Sequence, residues 1–230
     1  MFERAHHKAV AQTLAALNKN LFLEAECFFG GGTSIVLLLG EYRESVDIDF
    51  LCASETGYRR LRELTFGGRF EPLLAPDARI DLLRDVRTDQ YGIRTWIGVG
   101  ETRIKFEIVR ESRVSLSGAL DARLGVPVLS RGDLYAEKLL ANADRYADKA
   151  VLNRDIIDLG LMISRWGPVP GQAWQKARAA YGTAVDEAYK KAVASIRDPG
   201  WLETCMQGMA MDRSLAREIL ESFGEGYPPG

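Results

Sequence analysis

The chain has 230 residues, with 30 Lys+Arg against 32 Asp+Glu and a formal charge of -2. At 47% hydrophobic and 27% charged it has an ordinary globular composition, which excludes a disordered or fibrous protein and allows one large domain or two small ones. The longest apolar run, residues 35–39, is far short of the ~20 residues that cross a bilayer, and near-neutral charge argues against a generally basic nucleic-acid coat while leaving room for a local patch.

In chain order, Val10, Leu14 and Leu17 recur at helical spacing and predict a helix over residues 5–18. His6 and His7 lie in this stretch and read as solvated. The apolar run 25–29 stops at Gly30-Gly31-Gly32, after which Thr33 or Ser34 is expected to cap a brief helix through Leu39, closed by Gly40. Val46-Asp47-Ile48-Asp49-Phe50 alternates apolar and acidic side chains, the period of a half-buried strand. Ser54 is placed to cap a helix over 55–64, broken by Gly67-Gly68. Residues 93–99 and 102–109 form a hairpin, because Gly100-Glu101 has glycine in the first central position of a type II′ turn. That turn opposes Ile97 to Ile104 and Ile93 to Ile108 on one face. Arg94 then opposes Glu107, and Trp96 opposes Lys105, on the other.

From residue 130 the pattern is helical to about 149, then over 153–165, ended by Gly167-Pro168-Val169-Pro170. Further helices are separated by Gly182, by Asp198-Pro199-Gly200 and by Met211-Asp212. The Gly/Pro-rich tail 224–230 is expected to fray. This change of texture divides the chain into an α/β core over 1–125 and an α-helical domain over 126–230. Cys27 and Cys52 read as core packing. Cys205, among Met206, Met209 and Met211, reads as packing or a partner surface, and Trp166, Trp174 and Trp201 as inter-helix anchors. Three scattered cysteines suit neither a disulfide framework nor a zinc site. The N-terminus lacks the build of a secretory signal, so the expectation is a reduced cytoplasmic protein with no membrane role.

The chemistry centres on three groups. Asp47 and Asp49, two apart on a strand, project from one face and repel unless a hard cation, Mg²⁺ above all, sits between them. Gly31-Gly32-Thr33-Ser34, between a strand and a helix, presents backbone N–H groups as an anion site. It is neither a P-loop nor a GxGxxG turn. Glu107, on the polar hairpin face, is a candidate third carboxylate, or else a cross-strand partner of Arg94; Asp81 and Asp85 are further acids in a segment of no clear period. Lys138 and Arg145 share one helical face and Asp155 and Asp158 another, a spacing that by itself reads as surface salt bridging.

The glycine turn, the Tyr42-Arg43-Glu44-Ser45-Val46-Asp47-Ile48-Asp49-Phe50 run, and Lys138, Arg145 and Arg154-Asp155-Ile156-Ile157-Asp158-Leu159 follow one another in a familiar order. They resemble the nucleotidyltransferase superfamily of the DNA polymerase β type and, within it, the AbiEii/AbiGii toxin family, which includes the MenT-type toxins. The resemblance implies a mixed-sheet α/β (α+β) nucleotidyltransferase core with an α-helical C-terminal domain. It implies Mg²⁺-dependent transfer of a nucleotide from an NTP to an acceptor hydroxyl, by the toxin of a type IV toxin–antitoxin pair with a cognate antitoxin. The implied acceptor is the 3′ end of tRNA, for which Arg145, Lys149, Arg154 and Arg165 could form a basic rim. Carried over by position, Gly31, Gly32, Thr33 and Ser34 bind phosphate and Asp47 and Asp49 hold the metal, with Glu107 left open. Lys138 contacts the triphosphate, and Asp155 orients that lysine or activates the acceptor, Asp158 being the alternative. A small-molecule transferase of the antibiotic-modifying kind, or a non-catalytic nucleotide- or partner-binding module, fits the same motifs.

Overall fold

The computed structural model describes residues 2–224, so the tail expected to fray lies, from 225 onward, outside the described residues. The chain divides into two compact units. The first takes the chain up to Leu37 and Ser45–Ser130; the second takes Leu38–Glu44 and everything from Arg131. A short segment near residue 40 thus belongs with the helices.

The first unit begins with helices α1 (Ala5–Ala15) and α2 (Lys19–Glu24), followed by strand β1 (Cys27–Gly30), helix α3 (Gly31–Leu38) and strand β2 (Ile48–Cys52). Helix α4 (Glu55–Leu64) starts where Ser54 accepts a hydrogen bond from the Gly57 N–H, the cap that its sequence predicts. The short strands β3 (Asp81–Leu82) and β4 (Arg87–Thr88) precede the long hairpin β5 (Gly92–Val99) and β6 (Thr102–Arg110), and β7 (Gly118–Leu120) and β8 (Pro127–Leu129) close the unit. All eight strands join one mixed sheet in the order β3-β5-β6-β2-β1-β8-β7, with β4 also on β5. The hairpin has the predicted register, Ile97 opposite Ile104 and Arg94 opposite Glu107, with Gly100 at φ +57° in its turn.

Two local expectations change. Helix α3 begins at Gly31, so Thr33 and Ser34 fall inside its first turn rather than capping it. The strand expected over 46–50 starts at Ile48, leaving Asp47 on its approach. Pairing decides this boundary: β2 lies parallel to β6 from Ile48, opposite Phe106, onward. One face of the sheet is closed by Phe22, Phe29, Phe50, Phe70 and Phe106, whose ring centroids lie 4.4–6.0 Å apart along the cluster. Cys27 and Cys52 are buried in this unit, as packing requires.

The second unit is helical: α5 (Arg131–Arg145), α6 (Arg154–Trp166), α7 (Gly171–Tyr181), α8 (Ala184–Ile196), α9 (Pro199–Gly208) and α10 (Leu215–Ser222). Trp174 meets Tyr189 edge-on at 5.2 Å, Trp166 meets Tyr135 at 6.2 Å, and the Trp201 indole N–H donates to Asn153 across 2.7 Å. These tryptophans are inter-helix anchors. Cys205, Met206, Met209 and Met211 are buried, so packing is their role here too. No helix among the described residues is long and apolar enough to cross a membrane.

Candidate active site

In the sheet unit, β1 runs antiparallel to β2 with Gly30 opposite Asp49. The chain then turns at Gly31, with φ +68°, into α3. A Cβ on Gly31 would sit 2.7 Å from Asp49 Oδ2, so the glycine turn and this carboxylate are in direct contact, with only a missing side chain between them. The N-terminus of α3 supplies the backbone N–H groups that a helix leaves unpaired. The hydroxyls beside it are already engaged. Ser34 Oγ donates to the Gly31 carbonyl across 3.0 Å, and Thr33 Oγ1 shares a 2.8 Å hydrogen bond with Ser45 Oγ; both residues are buried. An anion at this turn is therefore met by backbone rather than by hydroxyls.

Asp49 is also the register partner of Glu107 on β6, so the two carboxylates share a sheet face. Glu107 meets both cations of its neighbourhood: Arg94 Nε donates to Oε1 across 3.0 Å, and Lys105 Nζ to Oε2 across 2.5 Å. The cross-strand reading of Glu107 is thus present in the structure, and the metal reading requires it to exchange those partners. Asp81 is exposed at the β3 edge opposite Gly98, and Asp85 is exposed as well. Among the described residues no three acidic, histidine or cysteine side chains converge into a ready-made metal cage. The donors offered at the turn are nonetheless carboxylate oxygens from Asp49 and its neighbours in sequence and register, the hard set that suits Mg²⁺. That ion is commonly held by one or two carboxylates plus substrate phosphates.

His7 departs from expectation. It is fully buried, and its Nε2 accepts from the Ser45 backbone N–H across 3.3 Å. Together with the Thr33–Ser45 bond, it fixes the approach to Asp47. Helical periodicity placed His7 on α1 but carried no information about the loop that covers it.

The second cluster lies in the helical unit and is buried, not a surface salt bridge. Lys138 Nζ sits 3.0 Å from Asp155 Oδ1 and 2.9 Å from Asp158 Oδ2. Arg145 holds Asp155 through bonds of 2.6 and 3.0 Å. Arg43 grips Asp158 in a two-pronged pair at 2.7 and 2.8 Å, and Tyr42 donates to the same carboxylate across 2.6 Å. Burial opposes ionisation of both aspartates, but Arg43 and Lys138 at Asp158, and Lys138 and Arg145 at Asp155, outweigh it and hold both carboxyls below the usual range. Burial drives the Tyr42 phenol well up, aided by Asp158, so it stays a donor. Tyr42 and Arg43 were part of the recognised run, but nothing in their spacing joined them to Asp158. Of the expected basic rim, Arg145 is committed to Asp155 and Arg165 to Glu218.

A protein from H. pylori described as a nucleotidyltransferase superposes with a TM-score of 0.52 at 16% identity, over 94% of this chain and 91% of that one. An antigenic nucleotidyltransferase-like protein from Paracoccidioides brasiliensis gives 0.50 at 15% identity, over 90% and 94%. At these identities the likeness is one of fold. No curated protein matches the chain. The sequence model of the nucleotidyl transferase AbiEii toxins of type IV toxin–antitoxin systems matches residues 12–225. That span takes in the glycine turn, both aspartates of the β2 run and the buried Lys138–Asp155–Asp158 cluster, and the chain accordingly belongs to the AbiEii family of nucleotidyltransferase toxins.

Proposed function

We propose that the enzyme transfers a nucleotide from an NTP to the hydroxyl at the 3′ end of a tRNA, releasing pyrophosphate, in the cytoplasm. The observation that carries this reading is the contact between Asp49 and Gly31. A carboxylate lying against a helix N-terminus supports the reading, because a metal-bound polyphosphate needs both kinds of group together.

Backbone N–H groups of Gly31, Gly32, Thr33 and Ser34 bind the phosphates, the two hydroxyls serving to stiffen the turn. Asp47 and Asp49 would hold Mg²⁺, which would neutralise phosphate charge and favour ionisation of the acceptor hydroxyl. Glu107 would be the third ligand to that ion, in exchange for its bonds to Arg94 and Lys105. By its place in the family pattern Lys138 is the residue proposed for a phosphate contact, a compact charge that within the helical unit is held by Asp155 and Asp158. Asp155 holds that lysine, and Asp158 anchors the segment around Arg43. The acceptor hydroxyl gives up its proton to solvent and its oxygen attacks the α-phosphorus; the bond from that phosphorus to the oxygen bridging to the β-phosphate breaks, and pyrophosphate leaves with the bonding electron pair. Three free, buried cysteines suit a reducing compartment. A cognate antitoxin is the partner that membership of the family implies.

The test is incubation with each labelled NTP and total tRNA, with and without Mg²⁺. Label should enter tRNA and pyrophosphate should appear only with the metal, and Asp49→Ala should lose both. Unchanged turnover in Asp49→Ala would remove the reading. Labelling of small hydroxylated acceptors in place of tRNA would transfer it to the antibiotic-modifying class.

A further inference from the structure

The sheet face that carries Asp49 continues across β6 and β5. Asp49 pairs with Glu107, Glu107 with Arg94, and Lys105 with Trp96. Register partners share a face, as do residues two apart on a strand, so Arg94, Trp96, Arg103 and Lys105 stand on the same side as Asp49. The intervening Ile93, Ile97, Ile104 and Phe106 are fully buried on the other side. Trp96 is only half-buried, and the guanidinium of exposed Arg84 lies 5.5 Å from its ring centroid. Glu107 holds both Arg94 and Lys105, and Asp89 takes Arg94 a second time across 3.0 Å; each cation keeps more than a third of its side chain exposed. Arg84, Arg103 and Lys105 stand around the half-buried ring, with Asp81, the register partner of Gly98, on the same face.

We propose that this face binds the single-stranded end of the acceptor nucleic acid, with phosphates on Arg94, Arg103 and Lys105 and a base stacked on the Trp96–Arg84 pair. The inference rests on the reading that the acceptor is a nucleic acid. It goes beyond that reading by placing recognition on the sheet face rather than on the helical rim. Cations interleaved with a partly exposed aromatic ring make a sequence-tolerant single-strand platform, since every base has a face to stack. The cations nearest the ring, Arg84, Arg103 and Lys105, are complementary to phosphate. Two strand spacings and one two-residue step put Trp96 roughly 12 Å from Asp49 between Cα atoms, so a strand end held there arrives beside the carboxylates.

Fluorescence anisotropy of the full chain with a short fluorescein-labelled single-stranded RNA, without NTP or Mg²⁺, tests binding apart from turnover. Trp96→Leu should weaken binding about ten-fold or more, while Trp96→Phe keeps most of the affinity. Arg103→Gln should lower the slope of log affinity against log salt by about one. Labelled NTP should bind all three variants as it binds the wild type, which shows that each is folded. RNA affinity unchanged in Trp96→Leu, a salt slope unchanged in Arg103→Gln, or no RNA binding by the wild type overturns the inference. A wild type that binds RNA through Trp96 yet releases no pyrophosphate from any NTP leaves this surface standing and removes the transferase reading. Pyrophosphate release with RNA that the variants leave unchanged does the reverse.

Discussion

A side chain at position 31 would collide with the carboxylate that the proposed chemistry depends on. The added Cβ would lie 2.7 Å from Asp49 Oδ2, on a backbone at φ +68° that costs an L-residue about 1–2 kcal/mol. Displacing a reacting group by an ångström costs about 10²-fold in rate. Gly31→Ala should therefore lose about two orders of magnitude in pyrophosphate release while unfolding within about 2 kcal/mol of the wild type. Gly40 is the control: its φ is +88°, and a Cβ there would meet nothing within 4 Å. Gly40→Ala should show the same modest loss in chemical denaturation with unaltered kinetics. If both variants keep full activity, Asp49 tolerates displacement and the turn is only a turn. Cys27 and Cys52 make the complementary point at this scale. Two thiols sit opposite each other on β1 and β2, and burial drives the Cys27 thiol well up, which suits packing rather than reactivity.

Helix α6 shows what an element adds to its residues. Its first turns present Asp155 and Asp158 to Lys138 from α5 and to Arg43 from the segment Leu38–Glu44, all within one unit. Both carboxyls ionise below their unfolded value near 3.9, so the stability they confer is fully present above about pH 4 and is lost as the pH falls through their folded values. Asp158→Asn leaves Arg43 and Lys138 without their shared counter-charge, a loss of about 3–5 kcal/mol for a broken buried pair. Thermal melts between about pH 3 and 7 should show a lower Tm for the variant at neutral pH and a shallower decline in acid. Parallel acid limbs would assign the acid sensitivity to other carboxylates. The same helix marks where sequence reading stops. The β5–β6 register was legible because Gly100-Glu101 is a two-residue turn, and counting outward from it determines every pair. Ser54 was legible because a cap is a local bond. The burial of Asp158 was not, because its partners Tyr42 and Arg43 come from a segment more than a hundred residues away. His7 was misread for the same reason, as Ser45 covers it from a loop that helical periodicity does not register. The start of β2 moved because pairing with β6, not local alternation, decides where the strand begins.

For the molecule as a whole, a net charge of -2 conceals strong local contrast. Acidic Asp49 stands in one register row with Glu107 and Arg94, beside the cations of β5 and β6. Folding does not depend on metal to offset the acids, because β2 is paired on both sides by β1 and β6 and Phe50 is buried in the aromatic cluster. Chelation should accordingly leave the circular dichroism spectrum intact while abolishing nucleotide transfer, and Mg²⁺ should restore it. Ligand linkage then gives a readout independent of any acceptor. A ligand at a hundred times its Kd stabilises the native state by about 2.7 kcal/mol. For a domain of this size 1 kcal/mol moves Tm by roughly 2–4 °C, so NTP with Mg²⁺ should raise Tm by about 5–10 °C, and NTP with EDTA by much less. Asp49→Ala should lose the metal-dependent part of that shift, since the carboxylate beside the turn proposed to bind phosphate is then gone. Trp96→Leu should keep it, because the sheet face is proposed to hold the acceptor and not the nucleotide. A full metal-dependent shift in Asp49→Ala would place the triphosphate away from the glycine turn, and the assignment of both Asp47 and Asp49 would fall with it.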